Sequence, residues 1–250
     1  MTPVFEPSNL FLAALSQPER TRLRPLLAFH RLPQGMVLQE PDRLVEHVFF
    51  LESGMISLVA VMQDGSGIET ATLGREAILG TLAALGTHHA NTRAVVQIDA
   101  TAWRLAVADF RTAVEQSANL RQMVLLSNEL MLAQMQQTAA CNALHATHRR
   151  LCRWIVQVHD RIDRDEIRLT HDFLAQMLAV RRPTVSLIAN ELQQAGLIRY
   201  QRGKITVIDR KGLERAACEC VETLRDKTHR IVRELARSFD SERSWRFSAN

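Results

Sequence analysis

The chain contains no apolar run approaching the roughly eighteen residues of a membrane-spanning helix. Its first residues, MTPVFEPSNLF, lack the basic start and apolar core of a secretory signal. Four cysteines in 250 residues are too few for a disulfide scaffold. A cytoplasmic, non-membrane protein is therefore the expectation. No Ser-His-Asp set, paired carboxylates or metal-ligand spacing stands out. No catalytic residue and no metal ligand is assigned, and an enzyme is not expected.

The histidines and cysteines read in the same way. His145 and His148 stand one helical turn apart and read as a solvated pair. His88 and His89 sit in a polar loop and read as solvent-facing. Cys141 and Cys152 read as small core hydrophobes. Cys218 and Cys220 lie two apart on what reads as one terminal helix over 209–239, capped by Asp209, so their side chains diverge. That makes them a poor metal pair and a poor disulfide. A redox-sensitive thiol at one of them remains open.

Against these absences stands an uneven charge. Hydrophobic content of 46% and charged content of 23% are globular values. The net charge of +4 splits into −3 over residues 1–148, +6 over 149–215 and +1 over 216–250. The positive block surrounds LTHDFLAQMLAVRRPTVSLIANELQQAGLIRYQRGKITVI, residues 169–208. That stretch parses as helix, turn, helix and hairpin. Thr170 suits an N-cap. Phe173, Leu174, Met177 and Leu178 recur at helical spacing. Pro183 sits where a second helix begins and Gly196 where it ends. Val185, Ile188, Ala189 and Leu192 make that helix's buried stripe, with Arg182, Ser186, Asn190 and Gln193 opposite. Two strands around Arg202-Gly203 form a wing.

A winged helix-turn-helix with a basic face suits double-stranded DNA. Arg181, Arg182, Ser186 and Asn190 are the candidate readers on the 181–195 recognition helix, Thr184 is a further candidate DNA-binding residue, and Leu187 suits a thymine methyl. Arg199, Arg202 and Lys204 are the candidate phosphate contacts, and Thr170 is a further candidate DNA-binding residue.

Upstream, residues 8–30 read as two short helices split near Pro18. From Arg31 the period changes to two. Short strands follow at 36–38, 48–51, 56–61, 68–73, 92–98 and 102–105, separated by turn signals such as Ser53-Gly54 and the hairpin tip Asp64–Gly67. This spacing indicates a small β-barrel or sandwich. Glu76–Leu85 reads as a short inserted helix. From Asp109 to His145 the pattern is helical. Met123, Leu126, Leu130, Ala133, Gln137, Ala140, Leu144 and Leu151 form a narrow seam that suggests a homodimer.

The order of barrel, long helix and winged helix-turn-helix resembles the Crp/Fnr family of bacterial transcription regulators. The resemblance covers roughly residues 10–215. HVFFLESGMISLV, DGSGIETATLGREAILG and LTHDFLAQMLAVRRPTVSLIANELQQAGLIRY carry it. It implies an α+β fold: a cyclic-nucleotide-binding-like β-barrel (jelly roll) over 8–108, a dimerisation helix over 109–145, a DNA-binding domain over 146–215 and a helical extension over 216–250. It also implies a palindromic DNA site and contact with RNA polymerase.

Several departures bear on mechanism. Nucleotide-binding members have a phosphate cassette of Gly-Glu, a helix, then Arg-Ser/Thr-Ala. Gly74 and Glu76 match, with Arg75 intervening, but Thr92 stands at the arginine position and Arg93 at the hydroxyl position. Alternation along a strand turns Arg93 away from a phosphate. A cyclic nucleotide is therefore disfavoured and no cofactor is expected, while Gly74, Glu76, Thr92 and Arg93 remain the candidate effector pocket. Met135 and Gln136 also lack the small hydroxyls that such members present to the purine. No cysteine precedes Cys141, which excludes an N-terminal iron–sulfur cluster. Pro183 and Leu187 replace a glutamate and an arginine common in the family, so the bases read should differ. The rival reading is a ligand-binding regulatory protein, nucleotide-gated or thiol redox-sensing, whose helix-turn-helix is mainly a protein contact.

Overall fold

The computed structural model describes residues 5–162 and 164–240. The expected fraying of the final SERSWRFSAN lies outside them, as does Asp163 of the polar break before the DNA module. Two short helices, α1 (Leu10–Ala14) and α2 (Gln17–Leu23), open the chain. The break falls at Leu15-Ser16, and Pro18 lies inside the first turn of α2, where it forfeits no helical hydrogen bond. Asn9 caps α1 by accepting from the Phe11 and Leu12 amides. Its amide nitrogen donates to the Leu51 and Ala77 carbonyls, fixing the helix to the sheet behind it.

That sheet is an antiparallel roll of six strands: β1 (Ala28–Leu32), β2 (Val37–Gln39), β3 (His47–Val61), β4 (Gly67–Leu73), β5 (Ile78–Leu79) and β6 (Arg93–Ala106). The order is β1-β6-β3-β4, with β2 on β6 and β5 on β3. Ser53-Gly54 is not a turn. The expected strands on either side of it are one long β3, whose pairing with β6 shifts register there. Gly54 has φ +77°, and a Cβ would run into the Asp99–Ala100 backbone, so this is a bulge inside a strand. The expected strands at 92–98 and 102–105 likewise fuse into β6. The insertion between β4 and β6 holds only a five-residue helix, α3 (Thr81–Leu85), after β5.

The expected 109–145 helix is two: α4 (Val107–Gln116) and α5 (Ala118–Leu144). Ser117 breaks them, accepting from the Leu120 amide and donating to Glu19. The DNA-binding module follows as α6 (Thr147–His159), β7 (Glu166–Arg168), α7 (His171–Leu178), α8 (Arg182–Gln194), β8 (Ile198–Gln201) and β9 (Lys204–Val207). β7 is additional to the elements expected from the pattern. It makes the wing a three-stranded sheet, β7-β9-β8.

The terminal helix is also two: α9 (Arg210–Ala216), capped by Asp209, and α10 (Cys220–Asp240). α10 packs back along α5. Ile231 and Leu235 join Met123, Leu126 and Leu130 in one buried cluster. Much of the expected dimer seam is thus covered within the chain. Leu144, at the end of that seam, stays exposed, as do Leu125 and Leu132 along another face of α5, each of the three more than half exposed. An apolar stripe records that a helix is covered, not which element covers it.

The module and the roll share a core. Met55 and Ile98 of the roll lie with Trp154 and Ile155 of α6 and Leu174 of α7.

Candidate nucleic-acid interface and effector region

The helix-turn-helix is built as its sequence signals require. The Thr170 hydroxyl accepts from the Phe173 amide at 3.2 Å and caps α7. The turn into α8 passes through Ala179 at φ 51°, a left-handed conformation that costs an alanine about 1 kcal/mol. Val185, Ile188, Ala189 and Leu192 bury one face of α8. Arg181, Arg182, Thr184, Leu187 and Asn190 are exposed on the rest. Gly196, at φ +72°, ends the helix. Arg202 and Gly203 both have positive φ, the two-residue turn that tight hairpins favour.

Two expected contacts are otherwise engaged. The Ser186 hydroxyl meets His171 Nδ1 at 2.8 Å and donates to the Arg182 carbonyl, so it fastens α7 to α8. Lys204 Nζ lies 2.9 Å from Glu166 Oε1, on the strand that sequence reasoning missed. Arg199 and Arg202 stay exposed on the wing. Further positioning groups emerge. The His171 ring stacks on Tyr200 with centroids 4.0 Å apart, and the Tyr200 amide donates to Gln193 Oε1 at 2.8 Å. Together they lock the wing to the recognition helix. A histidine opening α7 and the lone tyrosine on the wing are the available signals.

The candidate effector residues do not converge. Glu76 accepts from Arg161 Nε and Nη2 at 2.8 and 2.6 Å. Gly74 lies against that ion pair, where a Cβ would collide with both partners. Glu76 and Arg161 line an open cleft of about 780 Å³ facing α10. Arg93 instead pairs with Glu40 at 3.0 Å. It lines a separate cleft of about 230 Å³ beneath Phe173 and Met177 of α7. Thr92 is half-buried beside it. The roll interior is apolar, with Leu58, Leu73, Ala94 and Val96 closed over by Met131 and Met135 of α5. Gln136 is exposed. Gln134 donates to Thr72 Oγ1 at 2.8 Å, joining α5 to β4.

One buried carboxyl joins roll and module. Glu69 of β4 accepts from Trp154 Nε1 at 2.9 Å and from the Ser57 hydroxyl. Burial pushes its pKa up to about 7, against the opposing pull of the Ser57 hydrogen bond and of Arg153.

The cysteines are placed differently from expectation. Cys218 and Cys220 do not share a helix, because α9 ends at Ala216 and α10 begins at Cys220. Their thiols converge with Cys141 and His145 at the end of α5, all four ligand atoms lying within 4.8 Å of one another. His145 Nε2 meets Glu219 at 3.0 Å rather than turning to His148. Cys152 stays apart in the core, where burial raises its thiol to about 11. The i, i+4 spacing of Cys141 and His145 is the signal that pairing the histidines overlooks.

Two family models match the sequence: a cyclic nucleotide-binding domain over residues 29–117 and a Crp-like helix-turn-helix domain over 149–216. No curated protein matches. Among solved structures, a Crp/Fnr-family transcriptional regulator from Eubacterium rectale is similar, with TM-score 0.66 and 15% identity over 81% of this chain and 94% of its own. A CRP-family regulator from Thermus thermophilus gives 0.64 and 19%, over 75% and 96%. The c-di-GMP-responsive global regulator CLP of Xanthomonas campestris gives 0.64 and 13%, over 78% and 100%. At these identities the likeness concerns the fold.

Proposed function

This chain belongs to the Crp/Fnr family of transcription regulators, and from that premise we propose that it binds a palindromic DNA site as a homodimer. The observation that carries the reading is the outer face of α8, where Arg181, Arg182, Thr184, Leu187 and Asn190 are presented together above a buried apolar stripe. An arginine at the N-terminal end of such a helix suits bidentate contact with guanine in the major groove. The +6 charge of residues 149–215 supplies the phosphate attraction. Two copies would meet along the exposed line of α5 that includes Leu125 and Leu132. Family membership supports RNA polymerase as a partner and a cytoplasmic location as parts of the same proposal.

The effector is not a cyclic nucleotide in this reading. Arg93 is held by Glu40, Glu76 by Arg161, and apolar side chains fill the roll. Calorimetry with cyclic AMP and cyclic GMP should therefore give no binding heat.

Selection of bound sequences from a random duplex pool tests the DNA reading. The expected outcome is an inverted repeat with half-sites about one helical turn apart. Arg182→Ala should then cost about 1–3 kcal/mol on that site and relax its preference, whereas Arg202→Ala should weaken all sequences alike. Enrichment of no sequence, with both variants losing affinity uniformly, would sink the base-reading role.

A further inference from the structure

The four ligand atoms of Cys141, His145, Cys218 and Cys220 meet at the junction of α5, α9 and α10, and none of these residues falls within either matched segment. We propose that they bind one zinc ion in a Cys3His tetrahedron, which clamps the C-terminal extension and the DNA-binding module to the end of α5. The inference stands independently of the DNA reading.

The geometry is that of a mononuclear site. A tetrahedron with Zn–S of about 2.3 Å and Zn–N of about 2.05 Å has S···S edges of about 3.8 Å and S···N edges of about 3.5 Å. Cys141 Sγ and Cys218 Sγ are 3.6 Å apart, and Cys220 Sγ lies 3.5 Å from His145 Nδ1. The sulfur separation is far longer than a disulfide's roughly 2.05 Å. All four atoms lie within 4.8 Å of one another, so they surround one ion and not the two irons of a cluster. Three thiolates and an imidazole are donors that suit zinc.

The surroundings fit as well. His145 turns Nδ1 toward the sulfurs because Nε2 is held at 3.0 Å by Glu219. A carboxylate on the far ring nitrogen is the usual outer partner of a zinc-bound histidine. Gln137 Nε2 donates to Cys220 Sγ at 3.1 Å, a contact that suits a thiolate better than a thiol. Zinc with three thiolates carries one net negative charge. Arg150 and Arg153, both buried, lie within electrostatic reach of Cys141, and the Nε of each has no hydrogen-bond partner among the described residues. A thiolate-bound zinc supplies these guanidiniums with a counter-charge that neutral thiols do not.

The local chain supports the site too. Cys141 and His145 are one turn apart on the last turn and cap of α5. Cys218 and Cys220 lie at the junction of α9 and α10, so metal binding would close the chain across the 77 residues separating Cys141 from Cys218.

The test is metal content and cobalt spectroscopy on the full chain. Protein purified without chelator should carry one zinc per chain by plasma emission. Anaerobic replacement by cobalt(II) should give intense thiolate-to-cobalt charge transfer and the d–d bands of a tetrahedral ion. Glu219→Gln, at an exposed position, should keep those bands but weaken zinc binding about ten- to a hundredfold. Cys218→Ser and His145→Ala should alter or abolish them, while Cys152→Ala leaves them unchanged. Should Cys218→Ser fail to fold, the unmodified protein's cobalt spectrum still decides. Sub-stoichiometric metal with an octahedral cobalt spectrum, iron–sulfur absorption in the visible, or a Cys141–Cys218 disulfide in zinc-supplemented protein would each overturn the proposal.

Discussion

Two of the junctions that hold the DNA-binding module to the rest of the chain are of opposite character. At the first, an apolar core encloses one carboxyl, with Glu69 of the roll hydrogen-bonded to Trp154 of α6. At the second, three thiols and an imidazole gather where α5, α9 and α10 meet, the sulfurs in a small buried cluster of their own. The first holds by burial and answers to protons. The second is built of donors that gain most from a cation. Both sit on α6 or at its entrance, the element that leads into α7 and α8, so each constrains where the recognition helix points.

Breaking the first junction should give the largest effect. Trp154→Ala removes a fully buried indole and takes from a buried carboxyl one of its two donors, leaving Ser57. We expect a loss of about 4 kcal/mol in denaturant unfolding, with the cobalt spectrum of the second junction intact wherever the variant remains folded. A variant as stable as the parent would mean that roll and module are not held there.

Opening the second junction comes next. Removing metal with a strong chelator under reducing conditions should lower the thermal midpoint by roughly 10 °C, as expected when a cross-link across a long loop is lost. An unmoved midpoint in protein shown to have lost its metal would leave the cluster without a structural role.

Protons distinguish the two further. Glu69 titrates at about 7 in the folded protein, against an ordinary value of 4.5. The folded state therefore holds a proton that the unfolded chain releases. Stability should fall as pH rises from about 4.5 through about 7, by up to about 3 kcal/mol in all. Glu69→Gln keeps an acceptor for Trp154 and cannot ionise, so its stability should lose that slope. A slope retained in the variant would assign it to other groups.

The smallest effect concerns the wing. Glu166→Gln should leave stability almost unchanged, since its pair with Lys204 is half-exposed and screened by solvent. It should nevertheless raise DNA affinity and steepen its salt dependence by about one phosphate contact, because Lys204 is then released toward the DNA backbone. Unchanged salt dependence would remove Lys204 from the interface.

The winged helix-turn-helix is legible because its signals are local. Thr170, Pro183 and Gly196 act on their own helix ends, and the stripe of Val185, Ile188 and Leu192 repeats within one helix. The roll is legible as a set of strands but not in its joins. Gly54 carries the same residue-level signal in a turn and in a bulge, and the difference is the Asp99–Ala100 backbone passing beside it. The effector region misleads for a related reason. Gly74 and Glu76 match parts of a sequence pattern from which Thr92 and Arg93 depart, and Arg161 and Glu40, distant in sequence from their partners, claim the two charged members.

Residue order alone set most of the elements, their succession and the face that each buries, because caps, turn residues and hydrophobic period act over a few residues. What covers each face was settled only by packing between elements. α10 of the same chain lies over Met123 and Leu130, where the seam suggested a second copy. Glu69 meets Trp154 across 85 residues, and Cys141 meets Cys218 across 77. Such pairings follow from how whole elements pack, and no periodicity within a single element encodes them.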